Sequence, residues 1–184
     1  MIIHINGYPG VGKLTVARIM AEALGARVVD NHSVYNLAFA LTDYKSTAYY
    51  ETLEAVRAIA FERVLELPQE IPVIFTNAHM TDSEWGNANW DAVVDLARRR
   101  GSELLVLVLD CAPAENDRRI ASPDRAQKRK LTDPSQFTGN WSGRELIDRD
   151  GDHMTHIDTT GLTPEETAAR ALAWVRETQG LSES

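Results

Sequence analysis

The sequence predicts an α/β fold: a five-stranded parallel sheet with helices on both faces. Three observations carry that expectation. Strand and helix patterns alternate five times along 184 residues, the order that a parallel sheet with crossover helices requires. The run Leu104–Leu109 is unbroken Leu and Val, as a strand buried on both faces should be. A glycine-rich turn joins the first strand pattern to the first helical pattern. The chain is read as one domain, 1–184, with room for a full core.

Ile2 to Asn6 is short and β-branched and stops at Gly7. Lys13 to Leu24 has apolar residues at Val16, Ile19, Met20, Ala23 and Leu24, a helical spacing that Gly25 closes. Arg27 to Asp30 is the second strand. A short helix is expected over Asn36–Thr42 and a longer one over Ser46–Leu67, with one apolar face. Pro72 to Phe75 opens the third strand, which reaches Thr76-Asn77-Ala78-His79. Asp82 or Ser83 should cap the next helix, ending at Arg100 before Gly101. After Leu104–Leu109 and Asp110, Ala114–Ile120 is helical. Residues from Thr132 to Asp152 lack periodicity and read as loop with one short helix at most. His153–Ile157 is the weakest strand pattern. Thr163-Pro164-Glu165-Glu166 is a helix start, with proline at the first position and acids in the first turn.

The turn between first strand and first helix reads Gly7-Tyr8-Pro9-Gly10-Val11-Gly12-Lys13-Leu14-Thr15. Glycines allow backbone N–H groups to turn inward around an anion, and the helix that follows points its positive end at the same place. Lys13 at a helix N-terminus is unfavourable on its own and becomes favourable beside a phosphate. The spacing G-x-x-x-x-G-K is that of a phosphate-binding loop, the P-loop. The next residue should carry a hydroxyl for magnesium. Here it is Leu14, with Thr15 one position later.

At this point the chain resembles the P-loop kinases of nucleotides and small molecules, a group that includes adenylate, shikimate and gluconate kinases and chloramphenicol phosphotransferase. The resemblance rests on Gly7–Lys13 and on a basic segment, Arg118 to Lys130, which holds six of the 19 Lys and Arg residues. It implies ATP and Mg²⁺ as cofactors and transfer of the γ-phosphoryl group to a small-molecule acceptor. It also implies a lid after the fourth strand, about 114–135. Arg119 and Arg125 look like the lid arginines that close on the transferring phosphate, with Arg118 as a further nucleotide contact or, instead, a surface partner of the acids near it. Guanidinium groups suit the spread negative charge of a phosphoryl group in flight. Thr160, in Thr159-Thr160-Gly161, falls where such kinases hold the adenine.

Asp30 ends the second strand, where a carboxylate could take the proton of an attacking hydroxyl. It could instead cap the following helix. His32 is a second candidate there. Asn77 and His79 follow the third strand and belong to the expected acceptor site. Trp85 and Trp90 could stack on an acceptor ring or simply bury. Magnesium has Thr15 and Asp110 as candidate contacts; with Thr15 turned to the α-phosphate side, the ion would be held by phosphates and water, with Asp30 or Asp110 beyond them. A nucleoside monophosphate kinase would need arginines for its acceptor phosphate, yet 31–56 offers only Lys45, with Arg57 just beyond. A non-catalytic nucleotide-binding protein is the other reading, with Leu14 as its mark.

The net charge of −8 argues against nucleic-acid or acidic-membrane partners. Cys111 has no partner for an internal disulfide, no run reaches membrane-spanning length, and no leader pattern precedes the first strand. A cytoplasmic monomer or homodimer is expected.

Overall fold

A computed structural model describes residues 1–121 and 144–180. Five strands form one sheet: β1 (Ile2–Gly7), β2 (Arg27–Asp30), β3 (Val73–Asn77), β4 (Leu104–Asp110) and β5 (His153–Asp158). Their order is β2-β3-β1-β4-β5, and every pairing is parallel. The described helices are α1 (Lys13–Leu24), α2 (Asn31–Leu41), α3 (Thr47–Glu66), α4 (Glu84–Arg100), α5 (Pro113–Ile120) and α6 (Pro164–Thr178).

Strand residues alternate between two cores. Ile3, Ile5, Leu105 and Leu107 pack with Val16 and Met20 of α1 and Ala168 and Leu172 of α6. Ile2, Phe75, Val106 and Val108 pack on the other face with Val64 of α3 and Trp90, Val93 and Leu96 of α4. That period-two partition follows from the strand pleat, and it makes the three layers expected from the sequence. None of the described helices is long and apolar enough to cross a membrane.

Two elements depart from expectation. α2 starts at Asn31, directly after β2, and not at Asn36. The polar run Asn31-His32-Ser33 is its first turn, where unpaired backbone N–H groups tolerate polar side chains. Residues 144–147, expected to be loop, instead run antiparallel to the chain beyond β3. Thr81 N donates to Glu145 O at 2.9 Å and Ile147 N to His79 O at 3.0 Å, and Met80 bridges Leu146.

Candidate functional site

The carboxyl ends of the strands gather the site, as parallel sheets do. β1 is central, flanked by β3 and β4, so the loop that follows it opens between neighbours on both sides. Gly7 sits so close to β4 that a Cβ there would lie 2.4 Å from Leu109 O. Gly10 has φ +102°, and a Cβ would meet Asn116 of α5 at 2.2 Å. Both positions therefore need glycine, one for approach and one for backbone hand and space. Gly12, at φ +96°, precedes α1 with no side-chain cap. Val11 is buried and anchors the loop to the core. The Lys13 ammonium donates to Gly7 O at 2.7 Å and Tyr8 O at 2.9 Å, curling back over the loop. Thr15 is exposed in the first turn of α1, and Leu14 and Pro9 are half-buried beside it.

Asp30 lies two strands away. Across the sheet Ile5 pairs with Thr76, and Thr76 with Asp30. Its carboxylate accepts from Thr76 Oγ1 at 2.6 Å and lies 3.2 Å from His32 Nδ1. It makes no cap bond to α2. The side chain is 13% exposed, so it is fixed and still reachable. His32 thus stands beside Asp30, as the sequence placed it.

On the β4–β5 side, Arg119 spans three elements. Its Nε donates to Glu115 at 2.7 Å, Nη1 to Thr159 Oγ1 at 2.9 Å and to Val11 O at 3.4 Å, and Nη2 to Thr159 O at 2.8 Å. The guanidinium is therefore already at the rim of the phosphate loop. Arg118 points outward and grips Glu115 bidentately. Hydrogen bonds from Arg118 and Arg119 hold the Glu115 carboxyl well below the usual carboxylate range. Thr160 Oγ1 accepts from Ala112 N at 2.7 Å, and Asp110 accepts from Cys111 N at 2.7 Å. Arg125 and most of the expected lid lie outside the described residues.

Beyond β3 a buried polar cluster forms. Asn6 in β1 donates to His79 O and Ile147 O, both at 2.9 Å, and accepts from His79 N at 2.8 Å. The amide nitrogen of Asn77 lies 3.0 Å from Nε2 of His4, a fully buried strand residue. Burial pushes His79 down to about 3, with help from the Lys13 and Arg57 charges. Burial, and then His79, likewise push His4 well below the ordinary imidazole range. Both imidazoles are therefore neutral near pH 7. Sequence reasoning missed His4 and Asn6, although two polar residues inside an otherwise apolar strand are a signal in themselves.

A narrow pocket of about 40 Å³, open to solvent, lies between α2, α3, α4 and β3. Val29 and Asn31, the neighbours of Asp30, line it, as do Asn77 at the end of β3 and His79 just beyond. Tyr35, Phe61, Phe75 and Trp85 form its aromatic walls, joined by Arg57 and Asn89. Trp85 Nε1 donates to Tyr35 Oη at 2.9 Å, and the Arg57 guanidinium stands 5.5 Å from the Trp85 ring centroid. Trp90 is fully buried. The two tryptophans left ambiguous by the sequence therefore divide, one to the pocket and one to the core. Tyr35, Phe61 and Asn89 carried no sequence signal, because only the α2–α3–α4 packing brings them together.

Residues 2–140 match a family model described as an AAA domain, and the chain belongs to that family. Its fold is that of the P-loop kinase-like superfamily. The chain is similar in structure to a candidate kinase from Chloroflexus aurantiacus (TM-score 0.71, 14% identity, 96% of each chain). It is also similar to a gluconokinase from Sinorhizobium meliloti (TM-score 0.62, 17% identity, 97% of this chain and 94% of that one). A third similar structure is the tunicamycin resistance protein of Deinococcus radiodurans (TM-score 0.58, 21% identity, 95% and 94%). No curated protein matches the chain in sequence.

Proposed function

We propose that this protein is an ATP-dependent phosphotransferase that moves the γ-phosphoryl group of ATP to a hydroxyl of a small molecule. One observation carries the reading. A glycine-shaped phosphate cradle with its lysine opens at β1, and a fixed, reachable carboxylate stands at the end of β2 beside a pocket. Two strand spacings separate them, roughly 10 Å, a distance the phosphate chain and acceptor together can bridge. Kinases among the similar structures support the reading, including the gluconokinase.

In this reading Gly7, Pro9, Gly10, Val11 and Gly12 supply the loop that wraps the phosphates. Lys13 leaves its carbonyl partners for the β- and γ-phosphates. Arg119 contacts the nucleotide from the rim at Val11, and Thr160 lies near the base. Arg125 is assigned with Arg119 to the transferring phosphate, and Arg118 stays paired with Glu115. The acceptor hydroxyl oxygen attacks the γ-phosphorus, the bond to the β–γ bridging oxygen breaks, and ADP departs. The hydroxyl proton passes to Asp30, which Thr76 holds and His32 orients. Asn77 and His79 border the acceptor.

Magnesium, when bound, would neutralise charge on the phosphates. The residues present fit an ion carried mainly by phosphates and water. Leu14 offers no ligand, and Thr15 and Asp110 are the candidate contacts. No group of three metal-ligating side chains occurs among the described residues.

The test is ADP release with ATP across nucleosides, sugars, sugar acids, hydroxyl antibiotics and shikimate-like acids. Turnover with at least one acceptor, and binding of ATP with ordinary magnesium dependence, is expected of the wild type. Failure across the panel, with activity appearing only after Leu14→Ser, would establish the non-catalytic alternative instead.

A further inference from the structure

The pocket beside Asp30 carries more chemical information than a generic acceptor site. Its walls are aromatic: Tyr35 and Trp85, which touch each other, and Phe61 and Phe75, whose ring centroids are 5.7 Å apart. Tyr35 and Trp85 are locked together by a hydrogen bond. Such faces favour a flat ring, which gains stacking and loses little hydration. A polyol would have to give up water on those walls without a partner for each hydroxyl. Among the residues lining the pocket, Arg57 is the single cation, and it already donates to Asn89 Oδ1 at 2.6 Å while standing over Trp85. Binding of a phosphate dianion calls for several converging donors, which this lining lacks.

A second, independent feature lies in the same place. His79 is 5% exposed and borders the pocket, and its Nδ1 has no hydrogen-bond partner among the described residues. A buried polar atom left without a partner is costly, so a ligand group that reaches it by a small shift of the ring gains affinity. The ring is neutral near pH 7, so it offers a hydrogen bond and no attraction for an anion.

We infer that the acceptor is an uncharged, ring-bearing hydroxyl compound, packed against the Tyr35–Trp85 wall with a polar edge towards His79, and that monophosphates and acyclic sugar acids are excluded. The inference rests on the phosphotransferase reading for the word acceptor, but the pocket's binding preference can be measured without it.

Calorimetry on the full chain uses four probes: uridine and 4-hydroxybenzyl alcohol as neutral rings, UMP as the same ring with a phosphate, and gluconate as an acyclic acid. A non-hydrolysable ATP analogue is titrated in parallel. At least one neutral ring should bind, with UMP and gluconate at least tenfold weaker. Trp85→Ala and His79→Phe should each weaken the ring probe about tenfold and leave the ATP analogue within twofold. Ala60→Phe, which fills the pocket from α3, guards against misfolding of those variants and should abolish ring binding alone. UMP or gluconate binding more tightly than both rings would overturn the inference, and so would ring affinity that Ala60→Phe leaves unchanged. If the ATP analogue binds and neither ring does, the pocket assignment fails and the phosphotransferase reading survives. If a ring binds and the ATP analogue does not, the reverse holds.

Discussion

Asp30 shows how a single residue is decided by its partners. From sequence it could be a helix cap or a base. It makes no cap bond, and its oxygens face Thr76 and His32. If it accepts the acceptor's proton, Asp30→Asn should lower kcat by about 10²- to 10⁴-fold with KM for ATP nearly unchanged, as steady-state kinetics would read. His79 makes a different prediction at the same scale. It is neutral in the folded chain down to about pH 3 but protonates near 6.5 when unfolded. The unfolded state therefore binds the extra proton, and stability falls as pH drops from 6.5 towards 3. The slope is at most about 1.4 kcal/mol per pH unit for this one group. His4, 5.6 Å away between ring centroids, adds to the loss in the same direction. The charges facing His79 are Lys13 and Arg57, and both favour its neutral form. Denaturant midpoints measured from pH 7 to pH 4 should show the decline, and His79→Phe should make it shallower.

At the scale of elements, helix ends decide more than helix faces. Arg100 was legible only as a cation in the last turn of α4, favourable to the helix dipole. In the fold it is 4% exposed and reaches under the end of α3. Its guanidinium donates to Val64 O, to Leu67 O at 3.3 Å, to Pro68 O at 2.8 Å and to Ile71 O at 3.0 Å. One side chain thus satisfies the terminal carbonyls of α3 and the turn into β3. Arg100→Leu should cost about 3 kcal/mol or more, because several buried acceptors lose their donor at once. Urea unfolding checks this as a lower midpoint at unchanged slope. The start of α2 was misplaced from sequence for a related reason. Asn31-His32-Ser33 look like loop by residue type, and the helix begins there because the chain leaves β2 already turning.

Across the whole molecule, the parts readable in sequence were those set by local periodicity. All five strands, the parallel sheet and the glycine loop followed from runs of β-branched residues and from Gly7–Lys13. The parts that stayed hidden depend on contacts distant in the chain. Asn6 joins β1 to residues 79 and 147, and no local pattern announces that bond. The pocket draws Tyr35, Arg57, Trp85 and Asn89 from three helices whose relative placement no periodicity specifies. Charge is organised on the same scale. A chain of net charge −8 places Lys13 and Arg119 at the glycine loop after β1, so nucleotide affinity should come from local geometry and not from the overall field. The account stands or falls on that loop. Calorimetric titration of a non-hydrolysable ATP analogue with Mg²⁺ into wild type and Lys13→Ala tests it most directly. The account predicts saturable one-to-one binding by the wild type and at least tenfold weaker binding by the variant, with its melting temperature preserved. No binding by the wild type, or equal binding by both, would contradict it.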